Sequence, residues 1–555
     1  MLNWKILGKY DSKKDIVETI LENRGVENIK KFLSPATLNE CFEQMPPDFK
    51  KALRKAVAMI KASIKEETPI VIFGDYDSDG VNATAILYNF LKNEKKYAGV
   101  SYFIPNRFEH NYGISKSAID DVLKKFGSGG VPQNGGVPQK KYQPILFITV
   151  DVGITAYKEI AYIKKLGHKI ILTDHHQKPG KLPQADCIVW TDQLCGAAIA
   201  WVLSKALGSK NTESIAMAAL ATVTDLQTLT GFNRVIVKKG LEILNSKPPL
   251  GLQKLLEVSG KPSAEITTYE LGWYLGPRLN ASGRLETAED SIRLLVEKDE
   301  KTLEKLAANL NSKNIERQQK TLEMLGLATE FDKKKLPKIL FSANEKYHEG
   351  IIGLVAAKMV QQHYRPAVVV CLMEEYGKGS ARSIPGVNII EMIRRFEDLF
   401  IDLGGHPMAA GFTIDKKNIS KFKTKLLKYA EKTIKNELLV PTINIDLKMP
   451  IELISQKLLD EIEKMKPFGI GNEQPVFVSE ELGVVGADTM GKDMTHLRIN
   501  LYDGKKYYKA VYFGGAKRAE ELSTGSKIDL VYTLKKNEYN GNKYIDLIVK
   551  DFRKV

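Results

Sequence analysis

Carboxylates occupy alternate positions at Asp75, Asp77 and Asp79, directly after the apolar run 70–73 and directly before Gly80. On an extended chain, side chains two apart share a face, so three like charges converge there. Such convergence is costly unless something cationic sits between them. Two further apolar runs end in a similar way: 145–150 leads into Asp151, and 169–172 leads into Thr173, Asp174, His175 and His176. Carboxylate oxygen and imidazole nitrogen without thiolate suit hard-to-borderline divalent cations, Mn²⁺ ahead of Mg²⁺ because His is a poor Mg²⁺ ligand. Two such ions sharing a bridging carboxylate would direct water at phosphorus, in line with a leaving oxygen. Hydrolysis of a phosphate ester is the chemistry this inventory suits, and no Ser/His/Asp or Cys/His nucleophile arrangement stands out against it. Asp-x-Asp-x-Asp-Gly also opens an EF-hand loop. Its twelfth position would be Ile86, however, where a bidentate Glu is needed, and a strand rather than a helix precedes it. A solvated acidic turn is the remaining alternative.

These groups need elements that end at one place. The runs 70–74, 145–150 and 169–172 read as buried strands, and 81–91 and 156–166 have helical spacing of apolar residues. Strands alternating with helices imply a doubly wound parallel α/β sheet. Each acidic or imidazole group then lies at a carboxyl strand end, where open α/β sheets take their ligands. Arg107 follows a strand-like stretch at 102–105, where its planar fork could reach a phosphate. Residues 215–223 read as a buried helix delivering Asp225, a position as fit for a cap or turn as for a ligand. Segment 271–285 packs Arg278, Asn280 and Arg284 among glycines, which suits contact with a polar ligand.

The rest of the chain divides by pattern. Residues 1–45 read as a helical lead-in, 46–235 as the sheet domain, and 236–335 as a helical connector that includes a long charged helix at 301–331. A second α/β domain spans 336–440, where Ser380, Arg382 and His406 stand among glycines that permit close approach to an anion. Residues 441–555 alternate as a small OB-like β-barrel. Its Tyr507, Tyr508, Tyr512 and Phe513 interleave with lysines, as single-strand binders require and as any half-buried strand also shows. The Gly-Gly-Val-Pro-Gln repeat within 127–141 reads as an exposed loop.

Composition narrows the class. At 555 residues the chain exceeds one core, and a net charge of +15 points to an anionic partner, nucleic acid foremost. Four scattered cysteines without Cys-x-x-Cys fit small core residues. No apolar run reaches the roughly 18 residues of a membrane span, and the first residues lack a signal peptide's apolar stretch, so the expected location is cytoplasmic, away from any membrane.

GDYDSDG at 74–80, VDVG at 150–153, TDHH at 173–176 and VTD at 223–225 resemble, in order, the four motifs of the DHH phosphoesterase family. GPRLNASGRL at 276–285, YHEGIIGLVA at 347–356, GSARS at 379–383, GGHPMAAGF at 404–412 and PFGIGNEQPVF at 467–477 are similar to its RecJ-type single-stranded-DNA exonucleases, with a DHHA1 second domain and an OB fold. The resemblance implies metal ligation by Asp77, Asp79, Asp151, His175 and Asp225, with Asp151 as the bridge between two Mn²⁺ or Mg²⁺ ions. It makes Asp75 a supporting acid and His176 a substrate-side imidazole. Ser380, Arg382 and Arg107 would hold a 5′-phosphate, while Arg278, Asn280 and His406 would line the nucleic-acid path, His406 beside the chemistry. The implied activity is 5′-to-3′ hydrolysis of single-stranded DNA to mononucleotides in repair and recombination, by a monomer working with a single-strand-binding protein and a helicase. Phe73 stands where many relatives carry a His, which would loosen the first ion. A DHH enzyme of short oligonucleotides or cyclic dinucleotides and a non-catalytic DNA-binding replication factor are the competing readings.

Overall fold

Five parallel strands carry the acidic tips. Across the sheet they run Val100–Phe103, Ile70–Gly74, Leu146–Val150, Lys169–Asp174 and Cys187–Trp190. The order reverses between Ile70–Gly74 and Leu146–Val150, where Gly74 pairs with Val150. Asp75 and Asp151 therefore leave adjacent strand ends at the crevice where such sheets bind ligands. Val150 pairs in turn with Thr173, which sets Asp174, His175 and His176 alongside. The computed structural model describes residues 2–34, 36–110, 113–126, 143–260, 265–328, 336–539 and 542–555; the repeat at 127–141 lies outside them.

Successive strand residues face opposite sides. Ile70, Ile72, Leu146 and Ile148 pack with the helices Pro47–Lys65, Ser78–Asn89, Gly196–Ala206 and Ser214–Thr224. Val71, Phe73, Phe147 and Leu172 pack with Lys116–Phe126 and Tyr157–Lys165. Phe73 is thus committed to the core, its ring 5.4 Å from that of Phe103. Pro47–Lys65 buries Phe49, Leu53, Ala56 and Ile60 and turns its lysines outward, as a solvated basic face does.

From Gly276–Leu285 the chain passes through Glu289–Val296 into the 29-residue helix Glu300–Ala328. That helix leads to a mixed sheet in the order Phe400–His406, Ala409–Asp415, Tyr376–Arg382, Ala367–Leu372, Leu340–Asn344. This sheet also has two distinct faces. Ala367, Val369 and Cys371 pack against the helix Ile352–His363 and the end of the long helix, while Val368, Val370, Phe412 and Ile414 pack against Ile419–Thr433.

The C-terminal strands Phe477–Met490, His496–Tyr502, Tyr507–Tyr512, Asn542–Lys554 and Lys527–Tyr539 neighbour one another in that order, and the last pairs back onto the first, closing a five-stranded barrel. Of the aromatics read from the strand pattern, Tyr507 and Phe513 face outward, with Tyr502 beside Tyr507 at 4.8 Å between rings. Tyr508 instead turns inward and bonds Asp503, and Tyr512 packs against the barrel core, because strand alternation assigns them the other face. The N-terminal segment also departs from a purely helical lead-in. It opens with the strand Asn3–Ile6 paired parallel to Thr442–Ile445, and its helix Ile16–Asn23 buries Val17, Ile20 and Leu21 against the barrel.

Arg234 ties the first domain to both of these pieces. Its buried guanidinium donates to the carbonyls of Phe32, Lys464, Met465 and Lys466. Arg234→Ala leaves those carbonyls unpaired and is expected to cost about 2–3 kcal/mol. The expected readout is faster tryptic cleavage at Lys464; unchanged cleavage would show that the anchorage lies elsewhere.

Candidate metal centre

The first loop does not stay extended. The chain turns at Asp75, and Asp77 caps the helix Ser78–Asn89, its Oδ1 accepting from the N–H groups of Asp79 and Gly80 at 2.9 and 3.0 Å. The helix therefore begins three residues before the predicted start at 81, and Asp79 lies in its first turn. Asp79 reaches across to accept from the N–H groups of Gly196 and Ala197, both at 2.7 Å, at the start of the helix Gly196–Ala206. Glycine is required at both approaches. A Cβ on Gly80 would stand 2.6 Å from Asp75, and one on Gly196 would stand 2.5 Å from Asp151.

Carboxylates and imidazoles then meet at the strand tips. Ligand-capable atoms of Asp75, Asp77 and Asp151 lie within 4.8 Å of one another, as do those of Asp79, His175 and Asp225, and those of Asp151, His175 and His176. Asp151 belongs to two of these groups and holds a left-handed φ of 62°, a strained conformation that its surroundings enforce. His175 Nε2 stands 3.0 Å from Asp151 Oδ1, 3.6 Å from Asp79 Oδ2 and 3.7 Å from Asp225 Oδ2. Asp225 caps the helix Ser214–Thr224, and Gln227 Nε2 donates to its Oδ2 at 2.7 Å and lies 3.5 Å from His175 Nδ1. Asp174 accepts from three backbone N–H groups, of Ile154, His175 and His176, and holds His176 Nδ1 at 2.7 Å.

The electrostatics of this arrangement call for cations. Burial first, and the neighbouring Asp77 second, push Asp75 up to about 7. Burial and then Asp79 push Asp225 up to about 8. Burial and the charges of Asp79, Asp77 and Asp75 drive Asp151 well above the carboxylate range. Burial opposes ionisation of Asp174 too, but the hydrogen bond and charge of His176, together with the backbone N–H groups of His176 and Ile154, outweigh this and hold it low. Asp151 Oδ1 is buried with no hydrogen-bond partner, although His175 is close. Oxygen donors with one imidazole and an unsatisfied central oxygen fit Mn²⁺ or Mg²⁺. The group of Asp75, Asp77 and Asp151 consists of carboxylates alone, with Phe73 packed in the core.

Guanidinium groups gather close to the carboxylates. Arg107 stacks on Tyr76 at 4.4 Å. Arg284 feels Arg107, Arg317 and Arg382 together, and burial followed by those charges lowers it to about 10, with Asp77 opposing. Arg382 donates to Ser380 at 3.2 Å, and both lie within 3.2 Å of a Cβ built on Gly353 in the helix Ile352–His363. Beside Gln227 a cleft of about 760 Å³ opens between the domains, lined among others by Leu226, Tyr269, Trp273, Arg317, Leu322 and Ile470. Tyr269 and Trp273 are exposed with their rings 6.0 Å apart.

Three sequence-derived positions have other surroundings. Asn280 accepts the N–H of Ser78 at 2.8 Å, bracing the helix next to Asp77. Arg278 is buried and bonds Asn311 and the carbonyl of Tyr274, tying its helix to the long connector. His406 is exposed at the end of the outer strand Phe400–His406, opposite Ala409, and is in none of the three ligand groups. Gln227 and Arg317 carry no signal in the sequence. Gln227 follows Asp225 by two, a spacing with no chemical signature, and Arg317 sits in a charged helical repeat that resembles any solvated face.

The descriptions of known families cover most of the chain: the DHH family N-terminal domain matches residues 69–224, the DHHA1 domain 336–436 and the RecJ OB domain 445–551. The single-stranded-DNA-specific exonuclease RecJ of Bacillus subtilis (strain 168) is 33% identical over 97% of this chain and 67% of its own length. The crystal structure of RecJ in complex with Mn²⁺ from Thermus thermophilus aligns at a TM-score of 0.80 and 25% identity, covering 100% of this chain and 80% of that one. A structure of exonuclease RecJ bound to manganese aligns at 0.57 and 30% identity over 71% of this chain and 96% of that one. Sharing one residue in three over nearly its whole length, and with the same folded domains in the same order, this chain belongs to the RecJ family of single-stranded-DNA-specific exonucleases.

Proposed function

We propose that the chain is a metal-dependent exonuclease that takes single-stranded DNA by its 5′ end and releases mononucleotides toward the 3′ end. The observation that carries this is the position of Asp151, which joins Asp75 and Asp77 in one ligand group and His175 in another, while His175 in turn joins Asp79 and Asp225. Asp79, Asp151, His175 and Asp225 would hold one divalent ion, and Asp75, Asp77 and Asp151 the other, so Asp75 serves as a ligand as well as a supporting acid. When bound, such a pair supplies Lewis-acid polarisation of the phosphoryl group and water acidic enough to attack at neutral pH.

The chain's own residues do the rest. Asp174 fixes the ring of His176 through Nδ1 and sets it beside the ring of His175, 4.6 Å away between centroids. Arg107, Arg284, Ser380 and Arg382 gather the terminal phosphate, since planar forks bind phosphate oxygens in pairs. Tyr269 and Trp273 offer ring faces to bases on the way in, and Tyr502, Tyr507 and Phe513 do so on the barrel. Gln227 orients Asp225 and His175. The work divides among 46–235 for chemistry, 336–440 for the phosphate and 441–555 for the strand, joined by 236–335 and braced by 1–45. The same reading places a monomer in the cytoplasm beside a single-strand-binding protein and a helicase; among the described residues no helix is long and apolar enough to cross a membrane.

End-labelled single strands in Mn²⁺ test the polarity. Label at the 5′ end is expected as mononucleotide in the earliest products; early release from the 3′ end, or equal digestion of duplex, would overturn it. Asp151→Ala is expected to slow cleavage by at least about 10³-fold, because it removes the shared ligand. Strand binding measured by anisotropy should stay within a few-fold, and a variant that still cleaves would refute the bridging role. For Gln227→Leu the expected change is a loss of roughly tenfold in Mn²⁺ affinity by calorimetry. Strand binding in chelator should be unaltered, and intact Mn²⁺ affinity would remove Gln227 from the supporting set.

A further inference from the structure

Between residues 416 and 435 the chain has eight lysines and one glutamate, a net +7 against +15 for the whole protein. The helix Ile419–Thr433 buries Ile419, Phe422, Leu426 and Ala430, so its lysines are forced outward. Lys421, Lys425, Lys428 and Lys432 are all exposed and follow one another at helical spacing of four, three and four, which makes a single stripe. None of the four is in an ion pair among the described residues. Like charges at such spacings weaken a helix, so the stripe is held at a cost in stability. Arg394 and Arg395 extend the basic surface along the flank of the helix, across a groove of about 610 Å³ that also contains Glu391 and Tyr429.

The stripe is not part of the strand path. Ser380 and Arg382 face Gly353 on the helix Ile352–His363, whereas Ile419–Thr433 covers the opposite face of the same sheet. We infer that this outer face is a second nucleic-acid site, which binds the phosphate backbone of duplex DNA. Two features favour duplex over single strand. Lys421 to Lys432 form a straight stripe of about 16 Å on a rigid helix, which suits the fixed phosphate row of a duplex better than a flexible strand. The helix also exposes no aromatic platform: Phe422 is buried, and the half-buried Tyr429 is covered by Arg395 at 5.1 Å. Sequence-tolerant single-strand binding needs such platforms, while duplex backbone binding needs only cations. The site would hold the paired region flanking a single-stranded end, and it stands apart from the catalytic reading because it requires no cleavage.

The test uses the full chain in chelator with a blunt 20-base-pair duplex, from about 50 to 200 mM salt. Lys421→Gln, Lys425→Gln, Lys428→Gln and Lys432→Gln combined are expected to weaken duplex binding at least tenfold at low salt. The log–log salt slope should flatten by roughly 3 to 4, near 0.9 for each phosphate that is no longer neutralised. Cleavage of a short single strand in Mn²⁺ should be unchanged. A control removes the same charge from the exposed Lys51, Lys55, Lys61 and Lys65. An unaltered duplex slope, an equal loss in the control, or an equal loss of single-strand affinity would each overturn the inference. Failure of single-strand cleavage by the unmodified chain would count against the catalytic proposal alone.

Discussion

Mutual repulsion among buried carboxylates is the constraint on which the rest of this structure depends. Asp75, Asp79 and Asp151 are almost wholly removed from water, yet they stand within a few ångströms of Asp77 and Asp225. Part of that charge is neutralised by backbone. Asp79 takes two N–H groups from the helix Gly196–Ala206, Asp77 takes two from its own helix, and Asp174 takes three. Helix starts carry partial positive charge, so the contacts of Asp77 and Asp79 are natural partners for carboxylates. Asp151 Oδ1 receives no such hydrogen bond. The protein's own donors thus stand at the periphery of the cluster, and the glycines at 80 and 196 let helix starts come that near.

A second separation of charge follows from the first. The guanidiniums of Arg107, Arg284, Arg317 and Arg382 stand beyond Asp77, close enough for the others to depress the basicity of Arg284. Carboxylates and guanidiniums thereby come within reach of each other's charge, Asp77 opposing the effect of the other arginines on Arg284. The carboxylates all come from the first domain, whereas the guanidiniums come from the first domain, the connector and the second α/β domain, and residues that sequence assigned to the substrate path hold the connector against the carboxylates. Asn280 braces the helix start beside Asp77, and Arg278 fixes the same segment to the connector.

Local pattern made some of this legible. Asp75, Asp151 and the Asp174–His176 trio could be placed together because β-branched apolar runs ending in acids, separated by helices, admit few topologies other than a parallel sheet with all its tips on one edge. Asp225 could not be placed that way. A single acid after a helix is ambiguous, and only family resemblance singled it out before the fold brought it 3.7 Å from His175. The strand Asn3–Ile6 was hidden for another reason. Its partner, Thr442–Ile445, lies more than four hundred residues away, and no local periodicity records such a pairing.

What the amino-acid sequence by itself determined, then, is the identity of the chemical groups and the sheet that collects them, since both follow from short-range preferences and from the rule that strand ends share an edge. Tertiary structure alone decided how the groups are used. Gln227 supports Asp225, Asn280 holds backbone, Tyr508 faces inward while Tyr507 faces out, and the lysines of Ile419–Thr433 lie across the sheet from the arginines at the cleft. Each of these depends on which of two faces a side chain takes against a distant element. That choice is settled by packing and by hydrogen bonds between segments remote in the chain, so residue type and spacing contain it only implicitly.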